Sequence, residues 1–195
     1  MGQSIPRPLI TGPSAWIGTE LAKRPEDWTY QLSPSEIAEI EAATAANRGR
    51  DIATITRVDF PLPTLGPALD RLRDEVLNGR GFVLVRGLPV EGRQIEESAA
   101  AYWGIGTYFG SARSQNAKGH VLGHVRDMGL SSKDPNVRIY QTTERQNFHT
   151  DSCDIVSLLC LKTAKSGGLS SLTSSMSVYN VMATQYPELV WRLFN

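Results

Sequence analysis

A chain of 195 residues with 41% hydrophobic and 21% charged residues is long enough for one domain with a real core, and its composition argues against both disorder and a membrane span. Lysine plus arginine and aspartate plus glutamate are both 20, so no net field gathers nucleic acid or anionic lipid, and a small-molecule ligand is the expected partner. Two cysteines, Cys153 and Cys160, fit a reducing compartment better than a disulfide framework, and the start lacks a signal-peptide pattern, with Pro6 and Arg7 after Gly2 in place of a myristoylation motif; a cytoplasmic protein is expected.

Pro6, Pro8, Pro13 and Pro25 around Trp16 and Trp28 predict an extended N-terminal arm over residues 1–30, laid on a folded unit by its aromatics. Ser33, Pro34 and Glu36 occupy the N-cap, first-turn proline and capping-box positions ahead of Ile37 and Ile40, which predicts a helix over 34–47. Leu65, Leu69, Leu72 and Val76 recur at helical spacing, and Gly79 stands where a C-terminal cap belongs. The run Gly81-Phe-Val-Leu-Val-Arg-Gly-Leu-Pro89 is short, apolar and bounded by glycine and proline, as a buried strand is. A third helix is expected over 95–108, ending near Gly110. Its glycines have the spacing GxGxxxG and follow a helical pattern, so they read as helix-end residues and not as a dinucleotide fingerprint.

Residues 111–147 are polar and turn-rich, with a short strand expected at 137–140; a long irregular stretch inside a domain often builds a site. Residues 148–160 alternate and then become apolar, Ser166-Gly167-Gly168 marks a turn, and 169–174 is expected to return as a strand, with the two cysteines packed inside this hairpin-like unit. A helix over 176–186 is broken and restarted by Pro187, and Leu189, Val190, Leu193 and Phe194 form the apolar face of a last helix. A chain that ends on such a stripe reads as cut off.

His149-Thr150-Asp151 carries the chemistry. On a strand, residues two apart project from one face, so an imidazole and a carboxylate converge while Thr150 points away. That is two thirds of the 2-His-1-carboxylate facial triad, which holds iron(II) and leaves three positions open. Taken alone, HxD also fits a surface histidine beside a turn aspartate. His120 and His124 have HxxxH spacing, but Gly119 and Gly123 argue against a helix that would bring them together; a substrate contact or a solvent-facing role fits them better. Arg138, Glu144 and Arg145 read as a solvated rim.

The wider segment Asn147-Phe-His-Thr-Asp-Ser-Cys-Asp154, then Leu158 through the Gly167-Gly168 turn to Ser170, then Ser174-Ser-Met-Ser-Val-Tyr-Asn180, closely resembles the taurine dioxygenase (TauD/TfdA-like) family of iron(II)/2-oxoglutarate oxygenases. The likeness extends to the glycine-apolar-Arg86-Gly87 strand and, more loosely, to the helix ending at Gly110. It implies an α+β fold with an incomplete double-stranded β-helix, or jelly roll, and flanking helices, in a partial oxygenase domain over residues 31–195 that lacks its C-terminal strands. It also implies that His149 and Asp151 are iron ligands and that Ser170 stands where the family has a threonine holding the 2-oxoglutarate carboxylate.

The family pattern also needs a distal histidine and, soon after it, an arginine for the cosubstrate. After Asp151 the chain has no histidine, and its one arginine there, Arg192, belongs to the apolar last helix. The resemblance thus implies a dioxygenase that uses iron(II), 2-oxoglutarate and dioxygen to hydroxylate an unknown small molecule, weakly active or inactive as this chain stands. The alternative is a non-catalytic binding or assembly protein that keeps the scaffold and forms homo-oligomers through an exposed sheet edge.

Overall fold

The structure, a computed structural model, describes residues 8–116 and 119–194; Gly2, Pro6 and Arg7, named above, lie outside the described residues. Trp16 and Trp28 both meet the Phe82 ring. The Trp16 indole donates to the Arg80 carbonyl at 2.9 Å and meets the Phe82 ring edge-on, with centroids 5.3 Å apart. Trp28 lies 5.8 Å from the same ring. Between the two tryptophans the chain coils instead of extending: α1 (Gly18–Leu21) is a single helical turn, and a 3-10 turn at Pro25–Asp27 follows, started by the fixed φ of its proline.

β1 (Thr29–Gln31) leads into α2 (Pro34–Ala46). The capping box forms as its sequence predicts: the Ser33 side chain accepts from the Glu36 amide, and Glu36 accepts from the Ser33 amide at 2.8 Å. Glu36 also accepts from the Tyr30 hydroxyl at 2.5 Å, which ties the cap to the strand. α3 (Leu65–Asn78) has no side-chain cap of its own. Glu39 of α2 supplies one, accepting from the amides of Thr64 at 2.8 Å and Leu65 at 3.0 Å, where the helix leaves its first donors unsatisfied. β2 (Leu84–Arg86) is shorter than the apolar run that contains it and pairs in parallel with β1, Tyr30 opposite Val85. Gly87, at φ +97°, ends it where a Cβ would stand 2.5 Å from the Gln31 side chain.

α4 (Ile95–Gly106) packs across α2. Phe60, fully buried, fits against Gly104, where a Cβ would lie 2.4 Å from the ring. Leu32, Ile40, Leu62, Leu65, Leu69 and Tyr108 complete this core. The loop between α2 and α3 is held by side chains. The Tyr108 hydroxyl donates to the Phe60 carbonyl at 3.0 Å and accepts from the Leu62 amide at 2.9 Å. Asn47 donates to the carbonyls of Ala43 and Asp59, and the Trp103 indole donates to Ile55.

Beyond α4 the character changes. From Ser111 to Thr173 no described residue is buried. The strand expected at 137–140 is instead a 3-10 turn, Ile139–Gln141, and neither 148–160 nor 169–174 forms a strand. A strand is stable only with a ladder partner for its amides and carbonyls, and none is presented to these runs among the described residues. Cys153 and Cys160 are exposed, not packed inside, for the same reason. The predicted final helices do form, as α5 (Ser175–Gln185) and α6 (Pro187–Phe194), which pack on each other. The described residues are therefore α+β with one two-stranded parallel sheet.

Tyr108→Phe leaves the buried Leu62 amide without its acceptor, so a loss of about 1–3 kcal/mol in unfolding free energy is expected by urea titration. Partial burial works against ionisation of Glu39, but its hydrogen bonds from Thr64 and Leu65 outweigh it and hold its pKa below the ordinary value of 4.5. Its stabilising contribution is thus complete above that value and drains away as pH falls through the lower folded-state pKa. Melting temperature should fall on acidification in this range, and Glu39→Gln should flatten that slope.

Candidate functional site

His149 and Asp151 lie in the irregular stretch after the 3-10 turn at Ile139–Gln141, so their placement comes from local bonds and not from a sheet. The His149 Nδ1 is 2.7 Å from the Asn147 carbonyl. A carbonyl only accepts, so Nδ1 carries the proton, and in the neutral ring the lone pair sits on Nε2. That nitrogen faces the Gln146 amide at 3.1 Å and the Asp151 Oδ1 at 4.0 Å. The histidine and aspartate side chains are 47% and 54% exposed. The two side chains thus stand near one another at a solvent-exposed position, with the Nε2 lone pair facing the Gln146 amide.

As a test of fit to iron(II), these are two of the three donors of a facial triad. One imidazole nitrogen and one carboxylate oxygen suit the ion, but among the described residues no group of three histidine, cysteine, aspartate or glutamate side chains is placed to hold a metal. His120 bonds to Asn116 at 3.0 Å, and both it and His124 are exposed. Arg192 is exposed on α6, and Arg138, Glu144 and Arg145 are exposed as well.

Ser170 is exposed just after Gly167 and Gly168, both at positive φ. Among the described residues no hydrogen bond joins it to His149 or Asp151. Sequence reasoning brought out the pair but missed two supports. Gln146 holds the Nε2 side of the imidazole, and a lone glutamine three residues before a histidine carries no signal for that. Tyr102 on α4 bonds to Ser157 at 2.6 Å and ties the stretch after Asp151 to the core; burial raises its pKa against the opposing effect of that bond.

A separate groove of about 570 Å³ runs between α2 and α4, lined by Glu41, Asn47, Arg48, Arg50, Arg93 and Glu97 among others. It contains none of the three expected site residues. Within it Arg48 pairs with Glu97 and Arg93 with Glu41.

The family model described as taurine catabolism dioxygenase TauD, TfdA family matches residues 41–194. FR-33289 synthase of Streptomyces rubellomurinus (strain ATCC 31215) is 35% identical over 186 residues, covering 93% of this chain and 54% of that protein. The taurine hydroxylase-like protein SAT17 of Stachybotrys chartarum (strain CBS 109288 / IBT 7711) is 32% identical over 186 residues, covering 90% of this chain and 48% of that protein. The chain spans about half the length of the curated relatives it matches.

Proposed function

Since the chain belongs to the taurine dioxygenase TauD/TfdA family, we propose that it is the metal-binding half of an iron(II)- and 2-oxoglutarate-dependent dioxygenase that hydroxylates a small molecule. The observation that carries this reading is the His149–Asp151 pair, 4.0 Å apart with Nε2 bearing the lone pair. The jelly roll of the family is the fold proposed for the complete domain, and a third ligand and the cosubstrate arginine are proposed to come from chain beyond the residues present here.

Iron(II), when bound, supplies the oxidative chemistry that couples decarboxylation of 2-oxoglutarate to oxygenation of the substrate. The residues of this chain do the holding. His149 is oriented by Asn147, whose carbonyl accepts from Nδ1, so that in the neutral ring Nε2 is the nitrogen left for a metal. Asp151 offers an oxygen on the same side and lowers the net charge of a bound divalent ion. The Ser170 hydroxyl is the donor proposed for a 2-oxoglutarate carboxylate, a role its exposure permits. Dioxygen and the small-molecule substrate complete the partners. Among the described residues no helix is long and apolar enough to cross a membrane.

A second reading, a non-catalytic assembly protein that forms homo-oligomers, is favoured by one observation. Leu158, Leu169 and Leu172 are 75%, 93% and 62% exposed, an apolar surface that calls for a cover.

For the chain as it stands, weak binding of iron(II) is expected under anaerobic titration, lost in both His149→Ala and Asp151→Ala, with succinate formation near background. Turnover that survives His149→Ala would sink the site assignment. Size-exclusion chromatography separates the readings: a stable, concentration-independent oligomer with no His149-dependent metal binding favours the assembly protein.

A further inference from the structure

α5 buries the wrong kind of residue for an ordinary amphipathic helix. Its N-cap Ser174 and its Ser177 are buried, while Met176, Val178 and Val181 are 37%, 45% and 47% exposed. Burying hydroxyls without partners is costly, so something must satisfy them. The N-terminal arm does. Ser174 Oγ donates to the Ser14 carbonyl at 2.5 Å and Ser177 Oγ to the Trp16 carbonyl at 2.7 Å. Asn180 bonds in both directions to one residue: it accepts from the Ile10 amide at 2.8 Å and donates to the Ile10 carbonyl at 2.7 Å. Tyr179 donates to the Pro8 carbonyl at 3.3 Å. Every arm group in this set belongs to the backbone, so α5 reads the path of the arm's main chain and not its side chains.

The same arm is fixed to the N-terminal unit through Trp16, by its bond to Arg80 and its contact with Phe82. α6 is the helix that packs on α5, and no strand or core helix packs on it to a comparable extent. The arm is therefore the principal link between the core and α5. Ser174, at the head of α5, ends the exposed stretch that carries Ser170.

We infer that residues 8–16 form a strap that fixes α5 to the core, and that Ser174, Ser177 and Asn180 are positioning residues which, through the strap, set where the Ser170 segment stands. Only the task given to Ser170, holding a carboxylate, rests on the function proposed above. The strap itself rests on the bonds just named.

Amide hydrogen exchange on the full chain, without metal or 2-oxoglutarate, tests the strap from both sides. Asn180→Leu removes the amide from α5. Ile10→Pro removes the N–H from the arm and leaves α5 untouched, which guards against a helix that merely fails to fold. In the wild type the Ile10 amide should be protected. In Asn180→Leu its exchange should rise about tenfold or more, as expected when a local opening loses its hydrogen bonds. Both variants should speed exchange over 177–181, where the Ser177 and Val178 amides are bonded to Ser174, and should move the Ser170 amide resonance, while α2, α3 and α4 stay unchanged. An unprotected Ile10 amide in the wild type, or release of the arm with no change at Ser170, overturns the inference. Titration of wild type with 2-oxoglutarate and manganese(II), read at the Ser170 amide, tests the carboxylate role separately. No shift there, with the exchange coupling intact, removes that role and leaves the strap standing.

Discussion

The Tyr108 hydroxyl stands where a loop with almost no regular structure has to be held against two helices. By donating to the Phe60 carbonyl and accepting from the Leu62 amide, it satisfies two backbone groups that the buried Phe60 and Leu62 side chains carry into the core. Without that satisfaction the loop would gain apolar burial and lose hydrogen bonds of similar worth. With it, Phe60 seats on Gly104, α4 closes over α2, and Glu39 reaches the head of α3. The sheet of two short strands adds little by itself. What makes the N-terminal unit rigid is a set of side chains that pair with backbone, and Arg57, stacked 4.1 Å over the Tyr108 ring and bonded to Asp70, covers it from outside.

The segment that carries the candidate ligands is built differently. With no described residue buried between Ser111 and Thr173, its conformation is set by contacts a few residues apart, such as Asn147 with His149 and Asp134 with Asn136. Its long-range ties are few, and Tyr102 to Ser157 is the clearest. Local bonds of this kind can choose a tautomer and bring two side chains near one another. They resist displacement far less than a sheet would, because each is exposed and competes with water. The donor pair is thus shaped but lightly supported.

The helices were legible in the sequence because their signals are local. A capping box at Ser33 and Glu36, leucines at helical spacing, and Pro187 restarting a helix act within one or two turns, and α2, α3, α5 and α6 begin and end within a residue or so of those signals. The runs at 148–160 and 169–174 have the composition of strands but not the outcome, since composition cannot supply the partner a strand requires. Their cysteines followed them into solvent. Family membership was legible from the motif around His149 and Asp151, and it is now established. A strand would bring those two side chains to one face; here Nε2 and Oδ1 lie 4.0 Å apart without one. Nothing in the sequence announced the arm on α5, because serines and an asparagine on a helix usually face water, and only the fold shows that backbone faces them.

In the ligand role proposed for them, His149 and Asp151 stand on a half-exposed surface, which limits what the pair can do alone. Each must compete with water for a divalent ion, and without a third protein ligand no closed face of the coordination sphere forms. The chain spans about half the length of those relatives; any segment that paired with 148–160 would also cover some of the exposed Leu158, Leu169 and Leu172. These gains are coupled. A strand that pairs with 148–160 would bury the same apolar side chains and fix the backbone from which His149 and Asp151 project, so metal affinity and folding of the segment would rise together. The N-terminal unit and the strap on α5 stand apart from that coupling, since their cores and hydrogen bonds are already closed within the described residues.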